Sequence, residues 1–385
     1  MGIVRVSEPS EIRDFIQFPF KLYDEDDSLW VPPMVSDMES NLDRDSHPFY
    51  KDPGSDAQPF TFRENGRTRG RILAIESGPY NEEHQTNTAF FYFFEAEKDQ
   101  RVADALFEAA FGWARNRGID NIIGPMGLLA GDGHGFLVEG FDRRPGMGMP
   151  WNPPYYENLI ESSGFEKLAD TLSAEVSLDF EGHRKLVKKL YRSAERVKKQ
   201  RGIEVKTFED KREIEDQITF LVPEICNVFN KSFGDLPFYH PMDEAKMRRI
   251  VKRLLAVATN KSVDLVKLAM KDGEIIGFLL AYPNIVSELR RAGGKLWPLG
   301  WLYLSFGRRF TRWVDVNGIG ILPSFQGTGA TVALYADLLK TLQDSRFRWL
   351  IINQILEDNH KNIREMEIFN VTEFDRTHRI YRRAI

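Results

Sequence analysis

A single cysteine, Cys226, stands in 385 residues. One thiol excludes an internal disulfide and any metal site built from several cysteines, and its place in an apolar helical pattern predicts a buried, inert side chain. Histidine is scarce as well, with seven in the chain. No grouping of histidines and carboxylates has metal-ligand spacing, so no metal is expected. Long hydrophobic runs are missing too: the longest, around Trp297 to Phe306, falls short of the roughly 20 residues that cross a bilayer, and the amino terminus carries no basic-then-apolar leader. These absences predict a cytoplasmic protein, with peripheral contact to a membrane surface as a further expectation. Neither sign of charge dominates. A net charge of −5 at pH 7 gives no global attraction to nucleic acid.

What is present is the composition of a soluble globular protein, 42% hydrophobic and 28% charged, in a chain long enough for two domains, each with its own core. In the first half, strand-like runs around Phe62 and Ile72 flank Asn65-Gly66, the signature of a tight hairpin. The uninterrupted apolar run A-F-F-Y-F-F predicts a strand covered on both faces. Val102 to Asn116 carries Leu106, Phe107, Ala110, Phe111 and Ala114 along one helical side and stops at Gly118. Strand N-I-I-G, a long glycine-rich loop, and a helix capped at Gly164 follow. The second half repeats this order of elements, with a hairpin turning at Asp272-Gly273, a strand at Val314, a helix from Thr331, the strand R-W-L-I-I-N-Q-I-L and a helix after Asn359.

The segment Val314 to Gln343 reads as strand, glycine turn, helix. Val332, Leu334, Tyr335, Leu338, Leu339 and Leu342 recur at helical spacing after a turn holding Gly327 and Gly329. A helix opening directly from such a turn aims unpaired N–H groups and the positive end of its dipole at one spot, which suits phosphate oxygens. The glycines omit the Cβ atoms that would hold a diphosphate off the backbone, and Gln326 adds a neutral donor at the rim. Between the corresponding strand and helix of the first half stands E-A-E-K-D-Q-R. Its carboxylates would repel a diphosphate, so that half is expected not to bind one.

The order Pro323, Gln326, Gly327, Gly329 resembles the pyrophosphate loop of the GNAT superfamily of acyl-CoA N-acyltransferases, written Gln/Arg-x-x-Gly-x-Gly/Ala, with Thr331 departing at the last position. The runs G-P-M at Gly124, L-V-E-G-F-D at Leu137, M-P-W-N-P-P-Y-Y at Met149, L-E-D-N at Leu356 and R-I-Y at Arg379 are similar to those of a bacterial family of tandem GNAT proteins that includes bacterial ceramide synthase-like members. The resemblance implies an α/β (α+β) fold of two tandem GNAT-like domains, each a mixed twisted sheet flanked by helices. The expected boundaries are 1–180 for a domain without a pyrophosphate loop, 181–202 for a basic linker helix, and 203–385 for the domain that binds acyl-CoA. The co-substrate is acetyl-CoA or a longer acyl-CoA, held by Ile321, Leu322, Gln326, Gly327, Thr328, Gly329, Ala330 and Thr331, with Asn362 facing the CoA arm from the last helix. The tyrosine that often protonates the departing thiolate is replaced near Met366. Two departures elsewhere are Asn353 and Gln354, where the family tends to have Ser-Trp.

An amine attacking a thioester must lose its proton, so a base is needed. Three residues are candidates: Asp315 on the Val314 strand, Glu357 where the next long strand ends, and His134 among the glycines of G-D-G-H-G. Asp358 or Asn359 serves equally well as a helix cap. For the acceptor, the basic helix from His183 to Arg201 and the stretch Leu296 to Trp313, rich in Trp, Tyr and Arg, favour a small-molecule amine of hydrophobic or lipid-like character over a polar one. Two other readings remain open. One is a Fem-like aminoacyl-tRNA-dependent transferase, which also pairs two such folds; the other is a non-catalytic CoA-binding protein.

Overall fold

The computed structural model describes residues 2–385 except 24–27, 235, 237, 261, 370 and 372. Asn370, an asparagine able to stop the last helix in a left-handed conformation, lies outside the described residues. The chain forms two compact units. One comprises Met1–Leu172, Leu289–Gly300 and Asp375–Ile385, and the other Ser173–Glu288 and Trp301–Phe374.

The first stretch of chain runs β1 (Gly2–Arg5), α1 (Pro9–Leu22), α2 (Val35–Leu42), β2 (Asp56–Glu64), β3 (Arg67–Glu76), α3 (Gly78–His84), β4 (Thr88–Ala96), α4 (Gln100–Arg115), β5 (Asn121–Gly124), β6 (Phe136–Glu139), α5 (Tyr155–Ser162) and β7 (Glu166–Ser177). It continues as α6 (Arg184–Arg201), β8 (Ile203–Lys206), α7 (Lys211–Phe233), α8 (Glu244–Val257), β9 (Lys267–Lys271), β10 (Glu274–Pro283), α9 (Val286–Ala292), α10 (Gly300–Phe310), β11 (Trp313–Ile321), α11 (Ala330–Gln343), β12 (Trp349–Leu356), α12 (His360–Glu365) and β13 (Arg376–Ala384).

In the first unit the strand order is β1-β2-β3-β4-β5-β13, with β6 beside β13. The hairpin forms as expected, because Asn65 and Gly66 take φ of 53° and 75°, the left-handed pair that a two-residue turn between twisted strands requires. The apolar side of α4 lies on β4, where Phe94 and Phe107 stack with ring centroids 4.6 Å apart. At the start of α4, the Asp99 carboxylate accepts the Arg101 N–H and pairs with Arg69, which also holds Glu97 at 2.8 Å. That helix N-terminus is therefore already supplied with negative charge. The terminal strand β13, in the sequence stretch expected to close the second domain, lies in this unit, antiparallel to β5 and β6.

In the second unit the strands run β12-β11-β10-β9-β8, with only β11 and β12 parallel among these pairs. Leu334, Tyr335, Leu338 and Leu342 of α11 bury against Val314 and Val316 of β11 and Leu350 and Ile352 of β12. Each such leucine contributes about 1.5–3 kcal/mol by leaving water, so the apolar period of α11 fixes it to the sheet. The helix expected as a linker, α6, packs on α11 within this unit: Tyr191 donates to the Gln343 side chain at 3.1 Å, and Gly202 ends the helix at φ 65°. Cys226 is buried, its thiol donating to the Met242 carbonyl at 3.0 Å, and burial raises its pKa. Among the described residues no helix is long and apolar enough to cross a membrane.

Candidate functional site

The second unit contains a fork between two parallel strands. β11 and β12 pair from Trp313↔Trp349 to Val316↔Ile352 and then separate, whereas β11 stays paired with β10 as far as Ile321. At the point of separation the β10 register slips, Leu280 facing Gly318 and Ala281 facing Val316, so Asn317 is a bulged residue. A bulge bends its strand and frees backbone groups from the ladder. Beyond it, among the described residues, the edge of Asn317 to Ile321 turned toward β12 runs without a strand partner over roughly 13 Å, at about 3.3 Å per residue. An extended chain carrying amide groups can lie along such an edge as an added strand does. Just past the fork, β12 kinks at Gln354, whose φ is 48° and whose N–H donates to the Ser173 hydroxyl at 3.0 Å.

Asn353 sits at the fork, 8% exposed, and neither its amide nitrogen nor its amide oxygen has a hydrogen-bond partner. Strand alternation puts Val314, Val316, Leu350 and Ile352 toward α11 and Asp315, Ile351 and Asn353 toward the other face. On that face Tyr282 is buried across from Asp315 and hydrogen-bonds Asn317. Burial first, and then the Asp315 charge, push the Tyr282 hydroxyl well above its ordinary pKa, so it remains a neutral donor.

The same strand leads through Leu322 into the glycine loop. Leu322 donates its N–H to Ile276 O at 2.9 Å, holding the loop to the sheet. Gly327 and Gly329 have φ of 73° and 91°, a region that costs a side-chain-bearing residue about 1–2 kcal/mol. Gly329 is the N-cap of α11 and brings no side chain to the helix start, and Ala333 is the residue whose N–H returns to Gly329 O. The N–H groups of Ala330, Thr331 and Val332 therefore face the loop, as the first turn of a helix must. The two glycines differ in surroundings. A Cβ on Gly327 would meet nothing within 4 Å, whereas a Cβ on Gly329 would lie 2.5 Å from Val197 Cγ2 of α6. Cations border the loop: Lys361 of α12 donates to the Gln326 side-chain oxygen at 3.2 Å, and the Lys271 ammonium lies over the Phe325 ring. Because Lys361 takes the Gln326 oxygen, the amide's donor end remains for an anion.

The expected cofactor residues Ile321, Leu322, Gln326, Gly327, Thr328, Gly329, Ala330 and Thr331 thus form one continuous turn. Asn362 lies in the first turn of α12, its N–H held by the Asn359 side chain at 3.2 Å, which makes Asn359 the cap of that helix. Of the three candidate bases, Asp315 and Glu357 lie in the second unit and His134 in the first. Asp315 is fully buried and both its oxygens accept from the Asn284 amide, at 2.9 and 3.1 Å. Glu357 is half-buried beyond the end of β12. Asp315 is level with Ile351, so up to about 20 Å of extended strand separates it from Glu357. His134 belongs to the first unit, in a loop closed on β13, where a Cβ on Gly135 would sit 3.0 Å from His378 Cβ. Burial first, then the neighbouring His378, lower the His134 pKa to about 4.

Sequence reasoning passed over two groups. Asn353 was visible only as a departure from the expected Ser-Trp, and its unpartnered amide is a property of packing. Glu365 precedes Met366 on α12, and burial raises its carboxyl pKa against the opposing charge of Lys361. Among the described residues no group of His, Cys, Asp or Glu could hold a metal ion. A cleft of about 570 Å³, lined by Lys267, Asp337 and Arg346, lies toward the far end of α11 from the glycine loop. Its buried Lys267 pairs with Asp337 at 2.7 Å.

The fork, the bulge and the glycine turn opening a helix make this a GNAT-fold protein, and the full chain has the tandem form of that fold. A solved tandem GNAT protein from the clavulanic acid biosynthesis pathway covers 99% of this chain with 98% of its own, at a TM-score of 0.54 and 12% identity. In sequence the chain is 27% identical to the protein YghO of Escherichia coli strain K12, across 100% of this chain and 96% of that one. It is 26% identical to the bacterial ceramide synthase of Caulobacter vibrioides, across 100% and 98%. No protein-family profile matches the chain.

Proposed function

We propose that the protein is an acyl-CoA-dependent N-acyltransferase whose second unit holds the thioester and whose acceptor is a hydrophobic or lipid-like amine, such as a long-chain base. The observation that carries the reading is the continuity of the site: an unpaired strand edge for an extended amide-bearing arm leads into an uncapped helix start bordered by Lys271 and Lys361. An aminoacyl-tRNA donor would leave that glycine loop without a task. The lipid-like acceptor rests on the similarity to a bacterial ceramide synthase along both chains.

In this reading the diphosphate lies on the N–H groups of Gly327 and of Gly329 to Thr331, those of Gln326 and Thr328 being held by the Pro323 and Phe325 carbonyls, and the pantetheine arm runs along Asn317 to Ile321. The thioester then sits at the fork beside Asn353. The Asn353 amide nitrogen donates to the carbonyl oxygen as negative charge develops there, and its oxygen accepts an N–H from the attacking amine. Asn353 cannot remove a proton. Glu357, half-buried at the strand end and reachable by solvent, takes the base role ahead of Asp315, which is enclosed and bound to Asn284.

The test is Asn353→Leu, a substitution of similar shape. Relieving a buried amide that lacks partners raises stability by about 1–3 kcal/mol, while turnover with acyl-CoA falls by at least about a hundredfold. A variant that is both less stable and fully active would show that the amide serves packing alone and would remove it from the site.

A further inference from the structure

We infer that α10 is a docking surface for an anionic lipid bilayer. A surface helix ordinarily buries its apolar side and shows its polar one, but α10 is reversed. The buried residues of α10 are its two glycines, Gly300 and Gly307, with Gly307 pressed against the Glu288 side chain. Tyr303, Phe306 and Phe310 follow at i, i+3 and i+7, on one face, and are 37%, 57% and 67% exposed. The Phe306 and Phe310 rings stack with centroids 6.0 Å apart, so they project as one apolar ridge. Trp301, at the start of the helix, is half exposed.

Charge decides which occupant fits this face. From Trp301 to Trp313, all in the second unit, the sequence has Arg308, Arg309 and Arg312 and no carboxylate, in a chain whose net charge is −5. Arg309 and Arg312 are exposed beside the ridge, while Arg308 is half-buried and donates to the Ala256 carbonyl at 3.2 Å. A second copy would bring the same cations against one another, which opposes self-association through this face. Anionic headgroups satisfy both features together, with the rings at the acyl boundary and the guanidiniums on phosphate oxygens. This inference does not rest on the acyltransferase reading, since it concerns where the protein resides rather than what it transfers.

The experiment is flotation of the full chain with phosphatidylcholine vesicles, with and without phosphatidylglycerol, at low and high salt. The wild type floats with the anionic vesicles at low salt and is released as salt rises. Phe306→Ser/Phe310→Ser lowers binding by at least about tenfold, and Arg309→Gln lowers it about fivefold. Both variants keep the wild-type melting transition, because the replaced side chains are exposed. Three outcomes overturn the inference: no flotation with anionic vesicles at low salt, wild-type flotation by the double serine variant, or a concentration-dependent dimer in sedimentation that the same variant dissociates.

Discussion

Gly329 is the tightest point of the glycine loop, and the consequence of giving it a side chain can be worked out. Alanine there meets two separate penalties. Its φ of 91° is a left-handed conformation, costing about 1–2 kcal/mol for a residue with a Cβ. The new methyl also falls 2.5 Å from Val197 Cγ2, and overpacking of this kind costs about 1–3 kcal/mol. Gly329→Ala should therefore lower the stability of the second unit by about 2–5 kcal/mol and weaken CoA binding through displacement of the loop. Val197→Ala removes the obstructing methyls and on its own costs about 1 kcal/mol. In the double variant the clash is gone and the backbone strain stays, so the two changes should couple favourably by about 1–3 kcal/mol. Urea unfolding of the four proteins, followed by circular dichroism, completes the cycle. Additivity within about 0.5 kcal/mol would refute the claim that α6 braces the loop through Val197.

The remaining expectations concern protons. His378 is 2% exposed and, like His134, has its pKa lowered to about 4 from 6.5, chiefly by burial. Between those values the unfolded chain holds the proton and the folded one does not, so the stabilisation is complete above pH 6.5 and is lost as pH falls toward 4. His378 alone accounts for up to about 3 kcal/mol of that loss, with the half-buried His134 adding less. Thermal melts at stepped pH should flatten in His378→Gln, and an unchanged slope would count against a buried neutral imidazole. For the reaction, Glu357→Gln should reduce turnover by ~10²–10⁴-fold with little change in melting. Asp315→Asn should instead destabilise the fold by about 1–3 kcal/mol, since it disturbs the paired bonds to Asn284; the reverse pattern would exchange the two roles.

The parts of this architecture that local rules govern were legible in the sequence. Asn65-Gly66 and Asp272-Gly273 announced hairpins because few other residues take positive φ at both turn positions. The apolar period after Thr331 and the glycines before it located the helix and the glycine turn that opens it. Relations between distant segments were hidden. Nothing near Gly329 in the sequence indicates Val197, and nothing near G-D-G-H-G indicates that β13, at the far end of the chain, closes over it. His134 thus reads as a loop histidine in sequence and as a half-buried neutral one in the fold. The aromatic stretch before Trp313 was open to both core and surface readings, because composition alone does not say which face of α10 meets the unit.

The central claim is that one acyl-CoA binds the second unit with its diphosphate on the glycine loop. Calorimetric titration of palmitoyl-CoA into the full chain and into Gly327→Asp and Gly327→Asn tests it most directly. Gly327 has φ 73° and open space around it, both replacements tolerate that conformation, and they differ in charge while matching in shape. One site per chain is expected, with the aspartate variant binding at least about tenfold more weakly than the asparagine variant, as a carboxylate beside a diphosphate requires. Equal affinities for the two variants, or a second site of similar strength on the chain, would contradict the account.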